Sequence, residues 1–115
     1  MKIVKSFRWA INGLKTVWFE EFNFKIESLI AVVILFLAAI FSFTFSEWLA
    51  IIIAIILVIS AEVVNTAIED LCDKIQPETD PLIGKIKDTM AGYVLVVSLG
   101  ATLIGILVFC NHFIF

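Results

Sequence analysis

The chain has 115 residues, of which 62% are hydrophobic and only 17% are charged, and its mean hydropathy is +1.09. This composition excludes an ordinary soluble domain, in which about a quarter of the residues are charged, and indicates a small integral membrane protein. The net charge of −3 and the scattered basic residues argue against a nucleic-acid partner.

Residues 1–27 are predicted to form an amphipathic helix on the membrane surface. Apolar residues recur at helical spacing, among them Phe7, Ile11 and Leu14, while basic and polar residues fill the opposite face. A helix of this kind lies in the bilayer interface with its basic face toward the headgroups.

Three apolar runs, 29–45, 48–68 and 90–110, approach the roughly 20 residues that a helix needs to cross a bilayer. Only Ser46 and Glu47 separate the first two runs, which predicts a tight helical hairpin. The chain is therefore predicted to be one all-α membrane domain, 1–115, with a surface helix and three transmembrane helices. Three helices bury little surface by themselves, so we expect an oligomer.

Segment 69–89 is predicted to be a cytoplasmic loop. Pro77, Pro81 and Gly84 interrupt it, which places the end of the second helix near residues 74–76 and the start of the third near 84–87. Every Lys and Arg lies either before residue 26 or in this segment. The positive-inside bias then places the N-terminus and the loop in the cytoplasm.

The polar residues of the second span form one stripe. At about 100° per residue, Glu62, Asn65, Glu69 and Asp73 share a narrow face of the helix. Glu62 lies inside the apolar run, where a carboxylate costs about 2.5–3.5 kcal/mol on insertion scales. Glu62 and Glu69 are about 10 Å apart along the axis, so we expect them to serve different atoms.

This depth difference suggests a division of roles. Glu62 is suited to accept a proton from a hydroxyl at lipid depth, and Glu69 to hold Mg²⁺ together with phosphate oxygens. Glu20 and Glu21 are predicted at the same boundary, and either is able to complete the metal shell. The alternatives are a protonated Glu62 that hydrogen-bonds a neighbouring helix and a solvated acidic pair at residues 20 and 21.

Lys87 and Asp88 precede the third span on the cytoplasmic side. A lysine there is able to neutralise phosphate charge, and phosphoryl transfer depends chiefly on positioning and such electrostatic stabilisation. The alternative is an interfacial lysine that reaches toward water. No P-loop motif is present. His112 has no predicted partner, and we interpret it as structural or interfacial.

Four segments together resemble the small prokaryotic membrane-bound lipid kinases, the diacylglycerol kinases and undecaprenol kinases. The segments are Asn12-Gly13-Leu14-Lys15, Glu21-Phe22-Asn23-Phe24-Lys25, Glu62-Val63-Val64-Asn65-Thr66-Ala67-Ile68-Glu69 and Lys87-Asp88-Thr89-Met90-Ala91-Gly92. The resemblance implies a homotrimer in the prokaryotic cytoplasmic membrane, with active sites shared between subunits. It also implies transfer of the ATP γ-phosphate to a membrane lipid alcohol with Mg²⁺.

The resemblance also assigns roles to residues. It makes Glu62 the general base and Glu21 and Glu69 the metal ligands. The implied ATP contacts are Glu21, Asn65, Glu69, Glu78, Lys87 and Asp88, and the implied lipid contacts are Asn23, Phe24, Lys25, Glu27, Glu62 and Ala91. The chain departs from the commonest pattern at Thr79 and Asp80, so the resemblance assigns these two residues no contact with the nucleotide base.

The acceptor expected from the resemblance is diacylglycerol, which would yield phosphatidic acid. The alternative acceptor is undecaprenol, because segments 12–15 and 65–69 resemble the undecaprenol-using branch. A hypothesis of another class is a small proton-coupled transporter that uses Glu62 as an intramembrane proton site. Three rather than four spans, and an acid near one surface, argue against the transporter.

Overall fold

The computed structural model describes residues 1–76 and 78–115, and within them the chain forms four helices. These are α1 (Lys2–Glu20), α2 (Phe22–Ile40), α3 (Phe45–Ile75) and α4 (Pro81–Phe113). The last three are long and apolar enough to cross a membrane. The predicted all-α membrane architecture, with an N-terminal helix and three candidate spans, is confirmed.

An elbow at Glu21 joins α1 to α2. The backbone of Glu21 is extended, with φ −112° and ψ 108°, so the helix axis changes direction there. Trp18 and Phe24 pack edge to face across the elbow with ring centroids 6.3 Å apart, and the Lys25 ammonium lies 5.9 Å from the Trp18 ring. These contacts hold α1 at the start of the first membrane helix.

The turn between α2 and α3 lies at residues 41–44, and not at 46–47 as the apolar runs predicted. Ser42 adopts a left-handed conformation, with φ 54°. The Thr44 hydroxyl accepts from the Glu47 backbone N–H at 3.2 Å, and Glu47 Oε1 accepts from the Thr44 N–H at 2.8 Å. This capping box starts the helix, but hydropathy does not reveal it because the turn is rich in phenylalanine.

The helices α3 and α4 extend into the segment that was predicted to be the loop 69–89. Helix α3 ends at Ile75, within the predicted range, but α4 begins at Pro81 rather than near 84–87. Proline is favourable at the first position of a helix, and Asp80 Oδ1 caps α4 by accepting from the N–H groups of residues 82 and 83. Pro77 lies outside the described residues.

Helices α3 and α4 run antiparallel, and polar side chains of α4 that contact the buried Glu47 of α3 tie the two helices together beside the α2–α3 turn. Glu47 is only 4% exposed. Asn111 Nδ2 donates to Glu47 Oε2 at 3.3 Å, and His112 Nδ1 lies 2.9 Å from Glu47 Oε1. The His112 ring also packs on Phe43, 4.5 Å between centroids. The expectation that His112 has no partner was therefore wrong, since only the packed helices bring residues 47 and 112 together.

Candidate functional site

Four glutamates from three elements meet at the other end of the molecule, where α1, α2 and α3 come together. Glu21 from the elbow lies within electrostatic reach of Glu62 and Glu69 of α3. Glu27 of α2 lies against Glu62. We refer to Glu21, Glu27, Glu62 and Glu69 as the acidic site. The predicted base and both predicted metal ligands are thus brought together within a single chain.

Glu62 is the most deeply buried member of the acidic site. It is 2% exposed and lies about 10 Å farther along the helix axis from the C-terminal end of α3 than Glu69 does. Among the described residues, Glu27 Oε2 is buried without a hydrogen-bond partner. Two carboxyl groups in contact in an apolar environment resist simultaneous ionisation. Such an arrangement costs stability, and buried like charges of this kind are typical of functional sites.

Glu21 and Glu69 present oxygen ligands at the outer edge of the acidic site. Burial and the neighbouring Glu69 charge raise the pKa of Glu21 to about 6. Asn65 Nδ2 donates to Glu69 Oε1 at 3.1 Å, which fixes the orientation of that carboxylate. Glu20, which the spacing alone left as an alternative to Glu21, pairs instead with Asp70, and their shared hydrogen bond raises the pKa of Glu20.

These ligands fit Mg²⁺ that arrives with a nucleotide. Mg²⁺ is commonly held by one or two carboxylates, with water and phosphate oxygens completing its shell. No group of three or more Asp, Glu, His or Cys side chains is arranged to hold a metal within residues 1–76 and 78–115. Glu21 and Glu69 supply two carboxylates, the number that Mg²⁺ shared with a substrate's phosphates takes from a protein.

The predicted ATP contacts of α4 lie beside the C-terminal end of α3. Lys87 Nζ donates to Asp73 Oδ1 across the two helices, and Lys87 is also within electrostatic reach of Glu69. Next to this ion pair is a concavity of about 190 Å³, lined by Gln76, Glu78, Thr79, Asp80, Ile83, Gly84 and Lys87. Asp88 is exposed on α4. Asp80, which departs from the commonest family pattern, has a structural role here because its side chain caps the N-terminus of α4.

The predicted lipid contacts are divided between two places. Phe24 is 7% exposed and packs with Lys25 around Trp18, while Asn23 and Ala91 are exposed. Glu27 instead lines a cavity of about 580 Å³ between α2, α3 and α4. Its other lining residues are almost all apolar: Ile30, Ala31, Ile34, Ile51, Ala54, Ile55, Val58, Ile59, Ser98, Ala101, Thr102, Gly105, Ile106 and Phe109.

Comparison with known proteins places this arrangement in a family. Residues 8–109 match the family model for prokaryotic diacylglycerol kinase. The chain belongs to the prokaryotic diacylglycerol kinase family. It is 32% identical to an undecaprenol kinase of Bacillus subtilis over 94% of this chain and 88% of that protein. It is 26% identical to a diacylglycerol kinase of Escherichia coli K12, over 97% of this chain and 92% of that protein.

Membership of the prokaryotic diacylglycerol kinase family confirms the expected lipid kinase, and with it the use of ATP and of a lipid substrate. It also removes the proton-coupled transporter from consideration. The three apolar helices agree with a membrane kinase of prokaryotes.

Sequence reasoning missed three contacts at this family member's site. It gave Asp70 no role, although Asp70 pairs with Glu20. It included Asp73 in the polar stripe but did not foresee that Asp73 binds Lys87. It assigned Glu27 to the lipid without its contact to Glu62. The Asp73–Lys87 ion pair was predictable from the sequence, because the polar stripe ends in an acid and a lysine was predicted at the same side of the membrane.

Proposed function

We propose that this chain transfers the γ-phosphate of ATP, with Mg²⁺, to the primary hydroxyl of a membrane lipid alcohol. Diacylglycerol and undecaprenol are the two candidate acceptors. The observation that supports the proposal most strongly is the geometry of the acidic site, in which a buried glutamate adjoins two glutamates nearer water. Such a site spans the boundary between a lipid hydroxyl and an aqueous nucleotide.

In the proposed reaction Glu62 accepts the proton of the lipid hydroxyl. The lipid oxygen forms a bond to the γ-phosphorus as the bond from that phosphorus to the β-phosphate oxygen breaks, and ADP leaves. Glu21 and Glu69 would hold Mg²⁺, which supplies neutralisation of phosphate charge when it is bound. Asn65 holds the Glu69 carboxylate in one orientation. Lys87 contributes a compact cation beside the phosphates.

The remaining residues are proposed to contact either the nucleotide or the lipid. Glu78 and Asp88 join Lys87 as nucleotide contacts, and the position of Glu78 in the concavity beside Lys87 supports this role. Glu27, which adjoins both Glu62 and the apolar cavity, contacts the lipid acceptor. Asn23, Phe24, Lys25 and Ala91 line the approach of the lipid.

Undecaprenol is the acceptor that one specific observation favours. The identity of 32% is with an undecaprenol kinase, whereas the diacylglycerol kinase of Escherichia coli is 26% identical at similar coverage. Diacylglycerol remains the other candidate because both lipids present a primary hydroxyl on a long apolar body.

We further propose a homotrimer whose N-terminus and α3–α4 connection face the cytoplasm. The distribution of Lys and Arg supports the orientation. In α4, the small residue Gly100 is exposed outside the apolar cavity, where small residues favour close helix contact, and a side chain built there would meet nothing within 4 Å in the single chain. This open face supports contact with another subunit, and subunit cross-linking in membranes followed by mass analysis tests it.

The function is tested by direct transfer of labelled phosphate. Full-length protein in detergent micelles is given Mg²⁺, γ-labelled ATP and either diacylglycerol or undecaprenol, and the lipid extract is separated by chromatography. We expect label in the lipid phosphate and equimolar ADP. A reaction without lipid controls for hydrolysis. Label in inorganic phosphate alone, with both lipids present, would refute the proposal, and the ratio of kcat/KM for the two lipids decides the acceptor.

A further inference from the structure

The ion pair between Asp73 and Lys87 joins α3 to α4 at their aqueous ends. The side chains are 62% and 40% exposed respectively, so water screens the pair substantially. Exposed ion pairs contribute little to protein stability because Coulomb attraction in water barely offsets the loss of side-chain freedom. The pair therefore has little value as a clamp between the helices, and its position suggests a different purpose.

The Lys87 ammonium lies near two carboxylates of α3, those of Asp73 and Glu69. Asp73 follows Glu69 by four residues, so the two side chains lie on the same face of α3, one turn apart. Lys87 donates to Asp73 and is also within electrostatic reach of Glu69. A lysine ammonium on a flexible four-carbon stem readily moves to a neighbouring carboxylate when its partner is lost.

Binding of the Lys87 ammonium would affect Mg²⁺ binding differently at Glu69 and at Asp73. Glu69 accepts from Asn65 and faces Glu21, in the pair of oxygen ligands suited to Mg²⁺. An ammonium bound to Glu69 would compete with the metal for the same oxygens. An ammonium held at Asp73 leaves those oxygens free and stays next to the concavity that contains Glu78.

We propose that Asp73 is a positioning residue, which holds Lys87 off Glu69 so that Glu69 remains open to Mg²⁺ and Lys87 remains beside the incoming phosphates. The inference rests on the proposed function, and it adds to that function a residue with no direct contact to metal or lipid. Asp73 acts through Lys87, so its removal should change the metal requirement and not only the rate.

The test is a comparison of Mg²⁺ dependence among variants of the full-length protein. Asp73→Asn should raise the Mg²⁺ concentration for half-maximal lipid phosphorylation by about 2- to 5-fold, the range expected when an ammonium gains one partly exposed carboxylate. Asp73→Glu should restore the wild-type value. Asp70→Asn removes the same charge from the same helix but frees no lysine, so its half-saturation should rise by less.

A double variant isolates the role of the lysine. In a Lys87→Gln background no ammonium is available to move, so adding Asp73→Asn should leave the Mg²⁺ half-saturation unchanged. An equal rise in that background, an equal rise in Asp70→Asn, or no rise in Asp73→Asn would each overturn the inference. Thermal unfolding in the same micelles identifies misfolded variants, for which Asp73→Ser then repeats the measurement. Absence of lipid phosphorylation by the wild-type protein would instead refute the proposed function.

Discussion

Replacement of Glu62 by Gln should separate activity from stability. The change keeps the shape of a side chain that is 2% exposed and removes a charge that burial and the neighbouring Glu69 disfavour. An amide does not accept a proton at neutral pH, so kcat should fall by about 10²–10⁴-fold, the usual contribution of a general base. This loss corresponds to about 3–5 kcal/mol of activation free energy. Lower like-charge repulsion should leave the thermal midpoint unchanged or raise it.

The assay measures both quantities on one preparation in one detergent. Transfer of labelled phosphate to lipid gives kcat, and circular dichroism at increasing temperature gives the unfolding midpoint. The matched control is Glu47→Gln, which changes the other buried glutamate of α3 at the end remote from the acidic site. A kcat for Glu62→Gln within about tenfold of wild type would refute the role of Glu62 as base. A midpoint that falls as in the control would refute the account of repulsion.

Three further predictions concern other parts of the chain. Glu47→Gln should lower the unfolding midpoint and leave the kcat of folded protein unchanged, because it weakens the capping box and the contacts with α4; an unchanged midpoint contradicts this. Asp80→Ala should cost about 1 kcal/mol of stability through loss of the α4 cap, with the ratio of kcat/KM for ATP and GTP unchanged; a changed ratio would make Asp80 a reader of the base. Burial and the neighbouring Glu69 raise the pKa of Glu21 from its usual 4.5 to about 6. In the metal-free protein, this group should therefore add stability below pH 4.5, and that stability should be lost as the pH rises through 6. Stabilisation by Mg²⁺ should instead increase between pH 4.5 and 6. Thermal scans with and without Mg²⁺ measure both trends, Glu21→Gln should reduce both, and trends that stay unchanged in this variant would contradict the assignment to Glu21.

The sequence predicted the elements that depend on local pattern. The apolar runs indicated three spans, and the helical spacing of Glu62, Asn65 and Glu69 predicted one polar face on α3. The structure retains that face, with Asn65 donating to Glu69. These features follow from hydropathy and helix periodicity, which are properties of neighbouring residues alone.

Contacts between distant segments were beyond the same reasoning. The Glu47–His112 contact depends on how far α3 and α4 extend before they pair, and the Glu27–Glu62 contact depends on the register of α2 against α3. The position of the turn between α2 and α3 was predicted incorrectly for another reason. Its phenylalanines continue the hydropathy of the flanking helices, so the capping chemistry of Thr44 is the only local signal.

The length of α3 explains how a membrane lipid and water-soluble ATP reach one site in the proposed reaction. Its 31 residues span about 46 Å, against about 30 Å for a hydrocarbon core. In the proposed function, this single helix holds Glu62 within the hydrocarbon core and Glu69 at the aqueous boundary, at a fixed separation. In the proposed reaction, the chains of the lipid alcohol stay in the bilayer and the base of ATP stays in water. Only the lipid hydroxyl and the γ-phosphate meet at the membrane interface. The enzyme then needs no hinge to lift one reactant toward the other.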